Sequence, residues 1–467
     1  MKKKVMSDKL PKNYFSFSFG VIQSILLIAS GLALLLLAIL FAVITHSEEN
    51  RFYFRNSPLT YAFFIVIGFL LLDMVGVALL HVLNKDGMPT FEEFKRSQAA
   101  FQNSRAKTRF PELIAFDEAH PDDFTKEPTD PGLDLPSVCS RFRDYMAGSL
   151  GLYYSREDVM RFVASLSVSR TMILQGMSGT GKTSLAVAFG RFVGVPASVV
   201  PVQPMWKERS DLLGYYNEFT GRFSETPILE RLYEASFSDR MFVIVLDELN
   251  IARVEYYFSE FLSLLELPAT SSRELTVASS GAPGDPRRMS HGRIALPGNV
   301  WFLGTANNDD STFAVSDKVY DRAMVMDLDS RADPYKPLSA GAPVRLSAAD
   351  FLAMAEKARK DMPLSEDGLR RVKELDAYLA SEFRVTFGNR ILMQMKSYAP
   401  VYRACGGTEL GALDDMLARK VLRKLGAQNP VFVKARSGEL LARIDAAFGA
   451  DQMPECRECI KRIIANG

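Results

Sequence analysis

The sequence has 467 residues, with 56 Lys and Arg against 55 Asp and Glu, and 48% of its residues are hydrophobic. This length allows roughly two or three domains. A net charge of +1 excludes a surface that is basic throughout, although it permits a local basic patch. The charged fraction of 24% excludes a largely disordered chain, and four cysteines exclude a disulfide scaffold.

Two long apolar segments near the N-terminus predict membrane-spanning helices. Residues 21–44 contain no charged side chain, and Asp73 is the only charged residue in the segment 59–82. Each segment exceeds the roughly 20 apolar residues that cross the hydrocarbon core of a bilayer. The alternative is a pair of buried helices in a soluble domain, but such helices usually keep a polar face. We interpret Asp73 as a protonated or hydrogen-bonded carboxyl group, and an ion or proton site is the alternative.

The charge distribution predicts how these segments lie in the membrane. Five lysines precede the first segment, six Lys and Arg residues follow the second, and the loop between them has two of each sign. Positive residues favour the cytoplasmic side, so both termini are expected in the cytoplasm. We therefore predict a two-pass protein of the bacterial inner membrane, with the lipid bilayer as a partner. Its predicted segments are a basic cytosolic N-terminus (1–20), two spans (21–44 and 59–82), an external loop (45–58), and a basic juxtamembrane segment with an extended, proline-rich, acidic linker (83–140).

A phosphate-binding loop is predicted at residues 176–183, where GMSGTGKT matches the pattern GxxxxGK[ST]. An apolar run at 171–175 predicts a strand before the loop, and residues 184–193 predict a helix after it. In such a loop the backbone N–H groups surround phosphates, the lysine reaches the β- and γ-phosphates, and the hydroxyl ligates Mg²⁺. The predicted nucleotide-binding residues are Gly176, Ser178, Gly179, Thr180, Gly181, Lys182 and Thr183, and Thr183 is also a predicted Mg²⁺ ligand.

Two further apolar strands predict the catalytic side chains. Residues 241–246 are followed by Asp247 and Glu248, and residues 300–306 are followed by Asn307. Apolar runs of this kind are typical of parallel strands that are buried on both faces. Asp247 is expected to organise Mg²⁺, and Glu248 to orient and deprotonate the attacking water. If its strand lies between the other two, Asn307 is placed to hold that water from the far side.

One arginine is a candidate for catalysis across a subunit interface. Arg322 lies in the segment 316–323, directly before another apolar run at residues 324–328. An arginine that reaches the γ-phosphate of a neighbouring subunit increases the rate by about 10³–10⁵. The alternative is an ordinary arginine on the surface of a helix.

Residues 171–330 resemble the McrB-like branch of the AAA+ ATPases, close to the MoxR and dynein-related groups. The resemblance implies an α/β P-loop NTPase core, with a parallel sheet and flanking helices, at residues 141–335, and an α-helical lid at 345–467. It also implies hydrolysis of ATP, or of GTP, with Mg²⁺ in a ring of identical subunits, typically a hexamer. Within the lid, Arg390 aligns with the family position whose cationic side chain, the second after the loop lysine, contacts the nucleotide. The stretches that carry the resemblance are GMSGTGKT (176–183), SDLLGYYNEFTGRF (210–223), LDELNIARVEYYFSEFLSLLE (246–266) and LPGNVWFLGTANND (296–309).

Two departures from McrB motors affect the expected nucleotide and partner. The segment Ala-Asn-Asn-Asp-Asp at 306–310 lacks the Met-Asn-rich pattern of those GTP-using motors, so ATP is expected and GTP stays open. The apolar segments and linker occupy the place of their DNA-binding domain. Residues 270–296 predict a hairpin with several basic side chains, for which nucleic-acid contact and a solvated loop are both open.

Three functions are consistent with these features. The first is a membrane-anchored AAA+ motor that remodels a client protein or nucleic acid, in a bacterial defence or restriction-like system by family analogy. The second is a MoxR-like chaperone that matures a membrane-associated protein complex. The third is a nucleotide-dependent membrane scaffold with little turnover, although intact Lys182, Asp247 and Glu248 argue against it.

Overall fold

The computed structural model divides the chain into two units, Met1–Lys107 and Thr108–Gly467. It describes residues 67–68, 71, 108–124, 126–268, 271–307, 312–329, 331–339 and 341–465. The predicted N-terminus at 1–20, the first span at 21–44, the external loop at 45–58, and Asp73 with nearly all of the second span lie outside these residues. Among the helices that the structure does describe, none is both long and apolar enough to cross a bilayer.

The second unit combines a parallel sheet, two small antiparallel sheets and many helices. The strands are β1 (Thr171–Gly176), β2 (Ser198–Pro201), β3 (Gly214–Asn217), β4 (Arg222–Glu225), β5 (Phe242–Asp247), β6 (Glu274–Thr276), β7 (Met289–Ser290), β8 (Arg293–Ala295), β9 (Val300–Asn307) and β10 (Met324–Asp327). The helices are α1 (Pro111–Ala119), α2 (Leu135–Leu150), α3 (Arg156–Val168), α4 (Lys182–Phe192), α5 (Arg209–Leu213), α6 (Pro227–Ala235), α7 (Val254–Tyr257), α8 (Ser259–Glu266), α9 (Asp317–Tyr320), α10 (Ala348–Asp361), α11 (Glu366–Phe383), α12 (Asn389–Ala404), α13 (Glu409–Lys420), α14 (Pro430–Phe448) and α15 (Pro454–Ala465), with 3₁₀ turns at Leu249–Ile251 and Leu422–Ala427.

The main sheet has five parallel strands in the order β10-β1-β9-β5-β2. The strand β9 therefore lies between β1 and β5, as the role expected for Asn307 requires. Because the carboxyl ends of parallel strands meet at one edge, the residues that follow β1, β5 and β9 converge there. The expected P-loop NTPase architecture, a parallel sheet with flanking helices, is confirmed.

Side chains of the central strands alternate between two apolar cores. On β5, Val243 and Val245 belong to the core formed with α2, α3, α4 and the C-terminal helices. Phe242, Ile244 and Leu246 belong to the core on the opposite face of the sheet, formed with α6 and α8. A strand buried on both faces has no polar face, and this explains the uninterrupted apolar run in the sequence. Each such side chain stabilises the fold by about 1.5–3 kcal/mol.

The C-terminal region is helical from α10 to α15, as expected for the helical lid at residues 345–467. Within this region, which we call the lid, α12 packs on α3 and on α13, and α13 packs on α15. The lid shares one continuous apolar core with the helices on the adjoining face of the main sheet. The helical region is therefore joined to the sheet through a common core.

The prediction of an extended, solvated linker up to residue 140 is wrong for residues 108–119 and 135–140, whereas the described residues between 121 and 134 are irregular and mostly exposed. Residues 111–119 form the helix α1, and Phe110 and Leu113 are completely buried. The prolines of this region were the basis of the prediction. However, Pro111 and Pro136 lie in the first turns of α1 and α2, where proline has no intrahelical N–H bond to lose. We call residues 108–124, the first described residues of the second unit, the strap.

The predicted hairpin at 270–296 is present. Within its described part, from residue 271, Glu274 on β6 pairs with Ala295 on β8 in an antiparallel register, and β7 extends the sheet. The strap contacts the hairpin at the loop between β6 and β7. There, Arg109 of the strap forms an ion pair with Asp285 at 2.8 Å. The hairpin is therefore attached to the strap rather than being a free loop.

The basic side chains of this hairpin have partners within the chain. Arg287 donates to the carbonyl oxygens of His120 and Pro121 in the strap. Arg288 forms an ion pair with Asp123, also in the strap. Arg293 forms an ion pair with Glu274 on the adjacent strand at 3.2 Å. Each of these arginines therefore has a partner within the chain, while all three side chains remain exposed to solvent.

The carboxylate of Glu225 holds the beginning of the strap helix. Its two oxygens accept hydrogen bonds from the backbone N–H groups of Glu112 (3.0 Å) and Leu113 (2.9 Å). Burial raises the pKa of Glu225 to about 7. Since the folded chain keeps this proton to a higher pH than the unfolded chain does, folding stability is lost as the pH rises from about 4.5 to 7.

Substitution Glu225→Gln removes this titration. We expect the stability of the variant, relative to wild type, to increase between pH 5 and pH 8 by about 1 kcal/mol, a value reduced for solvent screening. Urea unfolding followed by tryptophan fluorescence measures this, since both tryptophans, Trp206 and Trp301, lie in the second unit. Glu218→Gln, at an exposed position on the neighbouring β3–β4 turn, is the control. A difference between variant and wild type that does not change with pH would contradict the assignment.

Candidate active site

The loop between β1 and α4 requires glycine at two positions, because a side chain there would collide with other parts of the chain. A Cβ on Gly176 would lie 2.4 Å from the carbonyl oxygen of Leu328. A Cβ on Gly181 would lie 2.6 Å from the hydroxyl of Tyr154. Both glycines also have positive φ angles, 139° and 96°. The loop leads directly into α4, whose N-terminal N–H groups favour an anion.

Lys182 lies inside the curve of this loop and is 7% exposed. Its Nζ donates to the carbonyl oxygens of Gly176 at 3.0 Å and Met177 at 2.7 Å. The ammonium group is thus held beside the backbone N–H groups that would surround a phosphate. This arrangement fits a triphosphate, whose negative charge the lysine and the helix N-terminus would share.

Asp247 joins the phosphate loop to two strands of the sheet. Its Oδ1 accepts a hydrogen bond from the hydroxyl of Thr183 at 2.8 Å and another from the hydroxyl of Thr305 at 2.8 Å. A hydroxyl and a carboxylate at this separation fit Mg²⁺, which is bound by one or two such oxygens together with phosphate and water. The structure therefore brings together both predicted metal ligands. Thr305 was not predicted.

Glu248 and Asn307 form a second hydrogen-bonded pair beside Asp247. The Glu248 carboxylate accepts a hydrogen bond from the Asn307 side-chain amide at 2.6 Å, and its backbone N–H donates to the Thr305 hydroxyl at 2.9 Å. Glu248 has φ 55°, a left-handed conformation that costs energy for a residue other than glycine and is common at active sites. Among the described residues, the buried amide oxygen of Asn307 has no hydrogen-bond partner and is available to a water.

Asn250 supports this pair from behind and was also missed by the sequence. Its side-chain amide donates to the carbonyl oxygen of Asn307 at 3.1 Å and to the hydroxyl of Thr312 at 2.9 Å. Asn250 is 5% exposed. Its role follows only from the three-dimensional packing, because an asparagine three residues after a strand has no distinctive pattern.

The two remaining predicted residues, Arg322 and Arg390, lie together. The Nε of Arg322 contacts one oxygen of Glu266 at 2.8 Å, and the Nε of Arg390 contacts the other oxygen at 2.8 Å. Glu266 is the last residue of α8. Arg390 therefore lies beside Arg322, the candidate for contacting the γ-phosphate in a neighbouring subunit. Both arginines share the carboxylate of Glu266.

A further arginine contacts the phosphate loop. Arg331, which follows β10, donates through Nε and Nη2 to the carbonyl oxygen of Gly179 at 3.0 and 2.6 Å. The sequence offers no pattern that predicts this contact, because Arg331 lies in an irregular segment. Its guanidinium group adds positive charge beside the loop.

Residues 171–323 match the AAA domain of the dynein-related subfamily. The matched region includes the phosphate loop, the acidic pair, Asn307 and Arg322. It identifies an AAA+ domain in this chain and, in general terms, a nucleotide-binding ATPase. No curated protein matches the chain.

Two solved structures are similar at low sequence identity. A candidate ATPase from Cytophaga hutchinsonii has 14% identity and a TM-score of 0.43, over 66% of this chain and 93% of the other. A full-length MCM homologue from Methanopyrus kandleri has 12% identity and a TM-score of 0.36, over 63% of this chain and 62% of the other.

The position of Thr305 between Asp247 and Glu248 leads to a prediction. Thr305→Val keeps the shape of this 2% exposed residue but removes both hydrogen bonds. We expect kcat for ATP to fall about tenfold, which corresponds to about 1.4 kcal/mol, with little change in KM. Steady-state turnover of the full-length chain measures this, with Thr171→Val on the adjacent strand as the control. A change in KM alone would contradict the role given to Thr305.

Proposed function

We propose that this chain is a membrane-anchored AAA+ ATPase that hydrolyses ATP in a ring of identical subunits to remodel a partner protein. The observation that carries the ATPase activity is the hydrogen-bonded series Thr183–Asp247–Thr305–Glu248–Asn307 at one edge of the sheet. It supports placing a metal ligand, a general base and a water-orienting amide around a single phosphate loop.

In this proposal, ATP with Mg²⁺ would supply a polarised γ-phosphorus atom; water attacks it while the bond to the β–γ bridging oxygen breaks, so that ADP and phosphate are formed. The loop N–H groups and Lys182 bind the phosphate oxygens, and Asp247 and Thr183 hold the metal. Glu248 accepts the proton of the attacking water, and the Asn307 amide oxygen orients that water. A positioned carboxylate of this kind contributes about 10²–10⁴ to the rate.

Ring assembly is supported by the position of the two arginines on Glu266. Two guanidinium groups on one carboxylate leave one positive charge unbalanced at this edge of the molecule. The triphosphate of a neighbouring subunit is the partner that would compete with Glu266 for them. The family resemblance suggests a hexamer, in which every subunit offers Arg322 and Arg390 to the next.

The surface chemistry favours a protein client over nucleic acid. The hairpin arginines at 287, 288 and 293 are already paired with acidic or carbonyl groups of the same chain. The neighbouring β3–β4 hairpin instead exposes three aromatic side chains, Tyr215, Tyr216 and Phe219, of which Phe219 is 103% exposed. Exposed aromatic residues are typical of surfaces that bind polypeptides. This observation favours the MoxR-like chaperone over a DNA motor.

Membrane anchoring rests on the sequence. The segments 21–44 and 59–82 have the length and apolar character of spanning helices, and the flanking basic residues favour cytoplasmic termini. The proposed location is the bacterial inner membrane, with the ATPase in the cytoplasm. The strap would then lead from the anchor into the second unit.

Turnover of the purified full-length chain in detergent tests the ATPase proposal. We expect ATP to be hydrolysed faster than GTP, and Lys182→Ala to lose nucleotide binding because the ammonium group is removed. Glu248→Gln should still bind ATP but turn over at least about 100-fold more slowly, since the general base is lost. Lys207→Ala and Glu118→Gln, at exposed positions, are the matched controls.

If the wild-type chain binds ATP without hydrolysing it, the scaffold function replaces the ATPase.

The Glu248→Gln variant also identifies the client, because an ATP-bound ring is expected to retain its substrate. Recovery of a defined protein complex with this variant supports the chaperone. Recovery of DNA at equal protein levels would contradict the preference for a protein client.

The anchoring proposal has a separate test in cells. The full-length chain should remain in the membrane pellet after washing with alkaline carbonate, because two apolar helices hold it in the bilayer. Tags at both ends should resist protease added outside spheroplasts, as both termini are proposed to be cytoplasmic. Release into the carbonate supernatant would contradict anchoring, and loss of either tag would contradict the orientation.

A further inference from the structure

The short segment that carries Arg322 is held by side chains from outside it. Residues 321–323 connect α9, which ends at Tyr320, to β10. The carbonyl oxygens of residues 320–323 each accept a hydrogen bond from a side chain elsewhere in the sequence. The donors are Lys420 to Tyr320 and Ala323, Gln394 to Asp321 at 3.1 Å, and Ser169 to Arg322 at 3.2 Å. The backbone on both sides of Arg322 is therefore fixed, and two of the three donors belong to the lid.

Lys420 is an unusual residue to find at this place. It is the last residue of α13, and it is 2% exposed. Burial lowers the pKa of its ammonium group to about 7. Because removing an ammonium group from water is costly, a lysine is buried only where hydrogen-bond acceptors compensate for the lost hydration. The position of the amine between two carbonyl oxygens indicates a role in placing the segment.

Two further lid residues, Arg423 and Lys424, contact α9 and the residue that follows it. The guanidinium group of Arg423 lies 3.5 Å from the centre of the Tyr320 ring and also forms an ion pair with Asp317. Lys424 forms an ion pair with Asp321 at 3.1 Å. These contacts hold both ends of the short helix and the residue that follows it, so the lid is joined to the segment at several points.

The same segment is joined to the phosphate loop of its own chain. The Tyr320 hydroxyl donates to the side-chain oxygen of Gln175 at 2.8 Å, and Gln175 directly precedes Gly176. The Gln175 amide donates in turn to Asp327 at the end of β10 at 2.7 Å. These two hydrogen bonds connect the strand end directly before the phosphate loop to residues on both sides of Arg322.

We infer that Lys420, with support from Gln394, is a positioning residue that holds Arg322 in place for the nucleotide of the neighbouring subunit. The lid of one subunit then sets the rate of hydrolysis in the next. This inference rests on the proposed function, because it requires Arg322 to act across the subunit interface. The hydrogen bonds to the backbone of residues 320–323 are the observation that carries it.

Mixed rings of the full-length chain distinguish two roles of a subunit. A donor supplies Arg322 to its neighbour, and an acceptor binds the nucleotide that this Arg322 contacts. Lys182→Ala subunits have no working site but offer Arg322, whereas Arg322→Ala subunits have a working site but offer none. Co-expression of the two should restore about a quarter of wild-type turnover, since random assembly around a ring forms the productive pair at one interface in four. This first mixture tests the proposed function.

The inference is tested by placing Lys420→Met in one role at a time. In the Lys182→Ala donor, it should lower the turnover of the mixture with Arg322→Ala by about 10- to 100-fold, because a displaced catalytic group loses this much. As the acceptor, a Lys420→Met subunit should recover turnover when it is mixed with the Lys182→Ala donor. A misfolded variant fails in both roles, so the asymmetry between the roles is diagnostic.

Hydrogen–deuterium exchange gives a readout that requires no nucleotide. Lys420→Met should increase amide exchange in a peptide covering residues 317–325 by about tenfold, since local opening becomes easier. Lys396→Met, the same change at an exposed position on α12, is the matched control and should leave exchange and turnover unchanged. Gln394→Leu, at a half-buried position, repeats both measurements with a smaller perturbation of the lid.

The outcomes distinguish this inference from the proposed function. Absence of turnover in the first mixture overturns the action of Arg322 across the interface, and the inference with it. Restoration in the first mixture, with full donor activity from the Lys420→Met and Gln394→Leu donors, overturns the inference alone. Unchanged exchange at 317–325 in both lid variants would also overturn it.

Discussion

The candidate site depends on one interaction, the carboxylate of Asp247 held between the hydroxyls of Thr183 and Thr305. Thr183 belongs to the helix that follows β1, Asp247 ends β5, and Thr305 lies on β9 between them. One carboxylate oxygen therefore aligns the phosphate loop with two strands. The Glu248 N–H donates to the same Thr305 hydroxyl, so the proposed base is aligned by the same contacts as the proposed metal ligand. Hydrogen bonds to a charged acceptor are among the stronger ones in proteins, so these two contacts are well suited to align the site.

The sequence predicted the parts of the site that depend on local patterns and missed those that depend on packing. The loop at 176–183 and the apolar run at 241–246 have the signatures of a phosphate cradle and a buried strand, and both have these structures. Thr305 lies within an apolar strand, where its hydroxyl has no periodic pattern to distinguish it. Arg331 contacts the loop from an irregular segment, and the course of such a segment is set by tertiary contacts. The role assigned to Arg322 stays a prediction, because it requires a second subunit, and the role of Arg390 stays one because it concerns a contact with the nucleotide.

The strap shows why composition misled the sequence analysis at one place. A mixture of prolines and acidic residues is typical of solvated linkers, but it is also typical of helix beginnings. Pro111 begins a helix, and the Glu225 carboxylate accepts hydrogen bonds from N–H groups in the first turn of that helix. Phe110 and Leu113 are buried in the core. Two acidic residues of the strap, Asp117 and Asp123, form ion pairs with Arg287 and Arg288 of the hairpin. The net charge of +1 conceals this pairing, since opposite charges at distant positions in the sequence neutralise each other only after folding.

The lid is joined to the sheet by charged groups as well as by apolar contacts. Arg419, which is 5% exposed, forms ion pairs with Asp415 on its own helix at 2.7 Å and with Asp327 at the end of β10 at 3.4 Å. Buried ion pairs add little net stability, because desolvation offsets most of their attraction, but breaking one leaves an uncompensated charge. We interpret this network as a constraint on orientation: the lid cannot tilt away from β10 without separating Arg419 from Asp327. Lys420 is the next residue along the chain, so the same constraint extends to the backbone beside Arg322. A lid displaced by nucleotide would therefore carry this segment with it rather than leave it behind.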